Sequence, residues 1–205
     1  MLNSVTKSFG KKQVIKSVSF DFQVDYNYRI SGENGIGKTT LLKMLANILI
    51  PDTGEIDFKN QTSIGWVPST ELGLFGRLTG AENIQTISGL LQVDKNFQNQ
   101  MTTNWSKINP FKESLITPFY KCSSGMKQVL KIFCSILHGP ELLIMDEPFR
   151  NLDESVRLAV ATLIQEQSSI NQIIYSDHYI QERPFENLVD LSLSQGGLVV
   201  SGQAT

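Results

Sequence analysis

The chain has 205 residues, of which 40% are hydrophobic and 19% are charged, and its net charge is −2. This length can bury one sizeable core, and the composition excludes a disordered chain. No basic run stands out, so we expect no nucleic-acid partner, because such binding depends largely on Lys and Arg contacts to phosphates.

The sequence predicts a cytosolic protein that reaches a membrane only through a partner. The first residues lack the apolar segment of a secretory signal, and every apolar run falls well below the ~18 residues that a membrane span needs. The two cysteines, Cys122 and Cys134, lack metal-ligand spacing. We expect both to pack as small apolar residues in a reducing compartment.

Alternating residues near the N-terminus predict a half-buried antiparallel strand. In VSFDFQV, one face carries Val18, Phe20, Phe22 and Val24, and the other face is polar. The helix expected after GENGIGKTT has an apolar face that continues to a stop at PDTG. That face is formed by Leu41, Leu42, Leu45, Ile48 and Leu49.

Four short apolar runs separated by helical patterns predict a parallel sheet with crossover helices. These runs are YRIS (28–31), SIGWV (63–67), LLIM (142–145) and QIIYS (172–176). The last apolar stretch, LSLSQGGLVVSG (191–202), predicts a hairpin with a Gly-Gly turn.

Residues 73–128 have a weaker and more polar helical pattern, which predicts an inserted helical subdomain. A clearer helix follows CSSG and ends at His138-Gly139-Pro140. We expect His138 to be explained by the helix C-terminus, where a cation is favoured. The apolar stripe of this helix comprises Met126, Val129, Leu130, Phe133, Ile136 and Leu137.

The segment from Gly32 to Thr39, GENGIGKT, fits the phosphate-loop pattern G-x-x-x-x-G-K-[ST] and lies between a predicted strand and a predicted helix. In such a loop, glycines let backbone N–H groups surround phosphates. Lys38 would neutralise the β and γ oxygens, and the Thr39 hydroxyl would hold Mg²⁺. The alternative is a Gly-rich turn without a ligand, but a random chain of this length matches the pattern only roughly once in a hundred.

Two carboxylates, Asp146 and Glu147, follow the apolar run LLIM, at the end of a strand where open α/β sheets bind ligands. Asp146 suits a Mg²⁺ ligand, and Glu147 suits the group that orients and deprotonates an attacking water. The alternative is a pair of solvated acids at a strand end. A second segment, KCSSGMKQ (121–128), also has the composition of a helix start that binds an anion. A protein with one phosphate loop would not need this second anion site.

The order of these motifs resembles the ATP-binding-cassette (ABC) ATPases over essentially the whole chain. GENGIGKTT, CSSGMKQ, LLIMDEP, NLD and a strand ending near His178 occur in that order. The resemblance implies one α/β domain over 1–205, with a P-loop NTPase core (a RecA-like parallel sheet). An antiparallel β subdomain would precede it, and a helical subdomain at approximately 73–128 would be inserted. It also implies that two copies associate head to tail around two ATP molecules.

The resemblance assigns roles to individual residues. Phe9 would stack on adenine, with a hydrophobic core position as its alternative. Asp153 would link the two sites across the dimer, and His178 would contact the γ-phosphate. The nucleotide phosphates would be bound by Gly32, Glu33, Asn34, Gly35, Ile36, Gly37, Lys38, Thr39 and Thr40 of one copy, and by the signature residues Ser123, Ser124 and Gly125 of the other.

Two positions depart from the family's pattern. The signature is Cys-Ser-Ser-Gly-Met instead of Leu-Ser-Gly-Gly-Gln, and Met126-Lys127-Gln128 resembles an exporter branch. Ser69 stands where the family usually has a glutamine that contacts Mg²⁺ and senses the membrane partner. Its hydroxyl is too short to reach as glutamine does and would act through water, so the hydrolysis rate or the coupling to the partner is in question.

The first hypothesis is an ATP-hydrolysing, Mg²⁺-dependent subunit, a homodimer that drives a separate membrane permease, most simply for export. It would lie in the cytoplasm at the inner face of the cell membrane, with the permease on the surface around Leu74 to Ile84. One alternative is a non-transport ABC ATPase of the chromosome-maintenance, DNA-repair or translation classes. Another is a nucleotide-binding regulator that no longer hydrolyses. The sequence does not indicate the cargo.

Overall fold

The computed structural model describes residues 1–57, 63–71, 73–177, 183–195 and 197–203. Within these ranges, nine strands form two sheets and six α-helices pack around them. No helix in the described ranges is long and apolar enough to cross a membrane.

The N-terminal sheet is antiparallel, with strand order β2-β1-β4, and comprises β1 (Leu2–Phe9), β2 (Lys12–Phe20) and β4 (Thr53–Ile56). The predicted strand over 18–24 is confirmed only as far as Phe20. Val24 is 44% exposed, so its predicted place on the buried face is wrong. The chain turns here, with the Tyr26 N–H bonded to the Gln23 carbonyl, while Phe22 stays buried by packing edge-on against Tyr28.

The second sheet contains the four predicted parallel strands and the C-terminal hairpin. Its order is β5-β6-β7-β3-β8-β9, parallel except for β9, which runs antiparallel to β8. One residue of the predicted Gly-Gly turn, Gly196, lies outside the described residues. The strands are β3 (Asn27–Ser31), β5 (Ile64–Val67), β6 (Leu142–Asp146), β7 (Gln172–Ser176), β8 (Leu188–Ser194) and β9 (Gly197–Gln203).

Because β3, β5, β6 and β7 are parallel, their carboxyl ends meet at one edge of the sheet. This edge carries the phosphate loop after β3, Ser69 after β5, and Asp146 and Glu147 at the end of β6. All five residues of β6 and of β7 are buried. The central sheet therefore presents the candidate site from a rigid core.

Helix α1 (Lys38–Leu45) is shorter than predicted. Asn47 adopts a left-handed conformation, with φ of +56°, which ends the helix before Ile48. Ile48 is 52% exposed, so its predicted place on the buried face is wrong. Helix α5 (Ser124–Ile136) is confirmed, and all six residues of its predicted apolar stripe are buried.

Three helices and a 3₁₀ turn lie between β5 and α5: α2 (Gly80–Leu90), α3 (Lys95–Trp105), α4 (Asn109–Ser114) and the turn Phe119–Lys121. Trp105 and Phe111 pack on Phe133 of α5, with ring centroids 5.3 and 4.6 Å away. This aromatic contact joins the helical segment to the core. The limits of a subdomain over 73–128 stay a prediction. The remaining helix, α6, spans Glu154–Gln165.

Candidate active site

Glycines shape the loop between β3 and α1 because no side chain fits at two of its positions. Gly32 has φ of +144°, and a Cβ there would lie 2.6 Å from the Leu193 carbonyl oxygen. Gly37 has φ of +118°, and a Cβ there would lie 2.8 Å from Ile15 Cδ1. The loop is thus packed against β8 and β2, and Gly37 is the N-cap of α1, which has no side-chain capping hydrogen bond. Its helix N-terminus is suited to an anion.

Lys38 folds back over this loop. Its buried ammonium donates to the carbonyl oxygens of Gly32 at 2.8 Å and of Glu33 at 3.0 Å. The predicted loop residues from Glu33 to Ile36 line a cleft of about 260 Å³ with β2 and residues 193–195. The loop therefore holds the Lys38 cation through its carbonyl oxygens, and residues 33–36 of the loop form one wall of the cleft.

Phe9 lies at the end of β1 and is 52% exposed, which excludes the alternative of a core position. Its ring is 6.0 Å from the Lys7 ammonium, and it is not among the residues that line the 260 Å³ cleft. Stacking on adenine therefore stays a prediction for Phe9.

The three predicted metal residues are brought together around Asp146, which is only 2% exposed. Its Oδ2 accepts hydrogen bonds from Thr39 Oγ1 at 2.8 Å and from Ser69 Oγ at 2.7 Å. Its Oδ1 accepts from Ser176 Oγ at 2.8 Å. A buried carboxylate is costly unless it is hydrogen-bonded, and three hydroxyls meet that need here. A set of hydroxyl and carboxylate oxygens fits Mg²⁺, which prefers hard oxygen ligands.

Sequence reasoning missed Ser176, the last residue of the predicted strand QIIYS. The available signal was that this strand ends at the same sheet edge as LLIMD, and in the structure Asp146 and Ser176 are register partners. Ser176 Oγ also accepts from the Glu147 N–H at 3.0 Å. One hydroxyl therefore fixes the positions of both carboxylate residues.

Glu147 has a left-handed backbone, with φ of +50°, directly after β6. A non-glycine residue in this region stores of order 1–3 kcal/mol of strain, which is typical of functional positions. Its Oε2 accepts a hydrogen bond from Arg150 Nη1 at 3.1 Å. Sequence reasoning did not single out Arg150.

The signature residues begin α5. Ser123 is the N-cap, and its hydroxyl accepts from the Met126 N–H at 3.2 Å, while Ser124 opens the helix and is exposed. A Cβ on Gly125 would lie 3.4 Å from the Asn151 carbonyl oxygen, so the signature lies against the loop that leads to Asp153.

Asp153 is the N-cap of α6. Its Oδ1 accepts from the Val156 N–H at 2.9 Å and from Ser155 Oγ at 2.7 Å, and these bonds lower the pKa of the carboxyl group. Asp153 therefore caps α6 of its own chain. His178, which was predicted to contact the γ-phosphate, lies outside the described residues.

His138 directly follows the C-cap of α5, at the helix end where the sequence placed it, but its pKa is not that of a cation favoured by the helix end. Its ring is bonded to the backbone of Ile64, its Nδ1 is buried without a partner, and burial lowers its pKa. The helix C-terminus therefore explains the position of His138, while partial burial of the ring favours its neutral form.

Comparison with known proteins assigns the family. The profile of the ABC transporter family matches residues 15–150, well over half of the chain. The chain belongs to the ABC transporter family. The ATPase domains of this family bind ATP and hydrolyse it to power transport. The protein is therefore an ABC ATPase, as the order of its motifs predicted.

Two curated relatives align with almost the whole ABC ATPase. The linearmycin resistance ATP-binding protein LnrL of Bacillus subtilis is 28% identical over 98% of this chain and 68% of its own length. An uncharacterized ABC transporter ATP-binding protein of Methanocaldococcus jannaschii is 30% identical over 98% of this chain and 76% of its own length.

Two solved structures share the fold. The ATP-binding subunit of an ABC transporter superposes with a TM-score of 0.81 and 22% identity over 100% of this chain and 88% of that chain. An ATP-bound bacterial Atm1-family exporter also gives 0.81, with 19% identity over 100% of this chain and 38% of that chain. The predicted P-loop α/β fold is thereby confirmed.

Proposed function

We propose that this ABC ATPase is the Mg²⁺-dependent motor subunit of a transporter, working as a head-to-tail dimer. The observation that carries the proposal is the convergence of Thr39, Ser69 and Ser176 on Asp146, directly before Glu147. This cluster adjoins α1, whose first residue is Lys38. The residues proposed for phosphate binding, metal binding and proton abstraction therefore lie at one sheet edge.

Each group has a defined task in hydrolysis. Loop N–H groups and Lys38 bind the β- and γ-phosphates. Thr39, Asp146 and, through water, Ser69 would hold Mg²⁺, which would neutralise charge on the phosphates. Glu147 accepts a proton from the attacking water, and its fixed backbone orients the carboxylate. His178 contacts the γ-phosphate in this proposal.

The second copy completes the site through Ser123, Ser124, Gly125 and Asp153. The N-terminus of an exposed helix contributes only about 0.3–1 kcal/mol toward an anion. The same donors gain strength when an interface lowers the local dielectric. Hydrolysis therefore depends on assembly, as it does when an arginine is supplied in trans.

A permease subunit is the proposed membrane partner, and it places the ATPase at the cytoplasmic face of the membrane. An apolar groove of about 460 Å³ lies between α1, β5, α2 and α5. Leu90 in this groove is 73% exposed, and Leu74 falls in the surface predicted from the sequence. An amphipathic cytoplasmic helix of the permease fits such a groove.

Export is the proposed direction of transport. Among the curated relatives, one is named for linearmycin resistance and another, from Escherichia coli, is named a probable multidrug ABC transporter ATP-binding protein. That second relative is 25% identical over 97% of this chain and 36% of its own length. Resistance and multidrug transport are consistent with moving compounds out of the cell.

The decisive experiment compares steady-state ATP hydrolysis of the wild type with Glu147→Gln and the control Glu166→Gln, an exposed carboxylate at the end of α6. We expect loss of hydrolysis only in Glu147→Gln, together with ATP-dependent dimerisation measured by light scattering. If the wild type is no faster than Glu147→Gln, the protein is a nucleotide-binding regulator instead. Purification from native membranes tests the permease, because recovery of only soluble partners would favour a non-transport ATPase.

A further inference from the structure

The position of Ser69 depends on the short segment that carries it. Residues 68–71 follow β5, and Ser69 Oγ donates to Asp146 Oδ2 at 2.7 Å. The serine hydroxyl is attached directly to Cβ, so the side chain cannot extend to keep this hydrogen bond if the backbone is displaced. The bond to Asp146 therefore requires the backbone of this segment to be held in place.

Lys131 of α5 holds that backbone on both sides of Ser69. Its Nζ donates to the carbonyl oxygens of Pro68 and Thr70, each at 2.9 Å. Lys131 is only 5% exposed, and a buried ammonium is unfavourable unless such acceptors surround it. Burial lowers the pKa of Lys131 to about 8, against the opposing influence of Glu71 and Asp146, so the group is charged at neutral pH.

Two further residues on the same face of α5 contact the same stretch of chain. Lys127, one turn before Lys131, forms an ion pair with Glu71 at 2.8 Å. Ser135, one turn after it, donates to the Trp66 carbonyl oxygen at 2.7 Å. Residues spaced by four share one helix face, so α5 fastens the end of β5 and the Ser69 segment along three successive turns.

We propose that Lys131 is a positioning residue of the magnesium site, which holds the Ser69 hydroxyl against Asp146 by fixing the carbonyls before and after it. The N-cap of the same helix is the signature residue Ser123. Lys131 thereby connects the metal cluster of one nucleotide site to the loop that serves the other. The inference rests on the proposed function, because it takes the Asp146 cluster as the Mg²⁺ site.

The test measures binding of trinitrophenyl-ATP by fluorescence while Mg²⁺ is titrated, using the full chain and the variants Ser69→Ala, Lys131→Met and the double variant. Each single variant is expected to raise the half-saturating Mg²⁺ concentration by about 3- to 10-fold, which corresponds to the net free energy of one hydrogen bond. The half-saturating Mg²⁺ concentration of the double variant is expected not to exceed that of the weaker-binding single variant, because Lys131 acts through Ser69. Affinity for the analogue in EDTA stays at the wild-type value.

Lys95→Met, at the exposed start of α3, is the control for the same change of charge and shape. If Lys131→Met does not fold, Lys131→Gln keeps an amide donor in the buried position and is expected to act in the same direction. Thermal unfolding of every variant is followed in EDTA, since a merely structural role would lower stability and analogue affinity there without a selective Mg²⁺ effect.

Two results would overturn the inference. One is that Lys131→Met or Lys131→Gln leaves the Mg²⁺ dependence unchanged while Ser69→Ala shifts it. The other is that the effects of Ser69→Ala and Lys131→Met multiply in the double variant. Failure of the proposed function looks different, because then Asp146→Asn and Ser69→Ala would both leave the Mg²⁺ dependence unchanged, and the inference would fall with the site.

Discussion

Arg150 and Glu147 form an ion pair within one turn of chain, with Nη1 of the arginine 3.1 Å from Oε2 of the glutamate. The Arg150 side chain is 68% exposed, whereas that of Glu147 is 24% exposed. The proposed base is therefore paired with a solvent-exposed side chain of its own chain. Exposed ion pairs contribute about 0–1 kcal/mol, so this contact restrains Glu147 only weakly.

Replacing Arg150 by Ala is expected to raise the rate of ATP hydrolysis by up to about 5-fold, the equivalent of 1 kcal/mol. The reason is that Glu147 Oε2 no longer has to leave the guanidinium before it binds water. Single-turnover hydrolysis measures this rate, with Arg150→Lys as the charge-conserving control. A slower Arg150→Ala would show that the guanidinium assists the reaction instead.

Asp153 offers a way to separate helix capping from a role across the dimer. Asp153→Asn keeps a good N-cap for α6, whereas Asp153→Ala removes the acceptor for the Val156 N–H. We expect a melting temperature about 2–4 °C lower for Asp153→Ala, and little change for Asp153→Asn, in differential scanning fluorimetry.

If Asp153 also links the two nucleotide sites, Asp153→Asn will keep its stability and lose hydrolysis. Equal activity of Asp153→Asn and the wild type would limit the residue to capping. The exposed Asp57, outside this loop, supplies the control substitution Asp57→Asn.

We expect the protein to lose stability in mild acid because of His138. Burial lowers its pKa in the folded state, so the unfolded chain takes up a proton near pH 6.5 that the folded chain accepts only at lower pH. The free energy of unfolding is therefore complete above about pH 6.5 and falls as the pH drops below that value.

The measurement is the urea midpoint at about pH 7 and at about pH 5.5, where His titrates. We expect His138→Gln to show a smaller decrease between these conditions than the wild type does. Equal decreases in both proteins would mean that His138 does not account for the acid sensitivity.

Two similar substitutions in the phosphate loop are expected to differ in their effects on stability. Gly37→Ala introduces a Cβ 2.8 Å from Ile15 and 2.9 Å from Val14, whereas Gly35→Ala meets no atom within 4 Å. Both positions have positive φ, so both variants carry backbone strain, but only Gly37→Ala adds a clash.

Thermal unfolding without nucleotide is expected to show a larger loss for Gly37→Ala than for Gly35→Ala. Fluorescent ATP binding should also be lost in Gly37→Ala, since the start of α1 must shift. An equal loss of stability in the two variants would mean that backbone strain, and not packing on β2, determines the effect.

The sequence by itself determined the parallel strands, the phosphate loop and the buried stripe of α5. These depend on local order: apolar residues at a fixed period select an element, and a motif between a strand and a helix needs only its own neighbours. The same reasoning failed for Val24 and Ile48, because a turn and a left-handed Asn47 ended their elements earlier than apolarity suggested.

Only the tertiary structure decided which distant groups meet. Ser176 bonds to Asp146 because β6 and β7 pair in a particular register, and Lys131 bonds to Pro68 and Thr70 because α5 packs beside the end of β5. The lowered pKa of His138 likewise follows from burial. Register, packing and desolvation are set by contacts between residues far apart in the chain, and a pattern of neighbouring residues does not contain them.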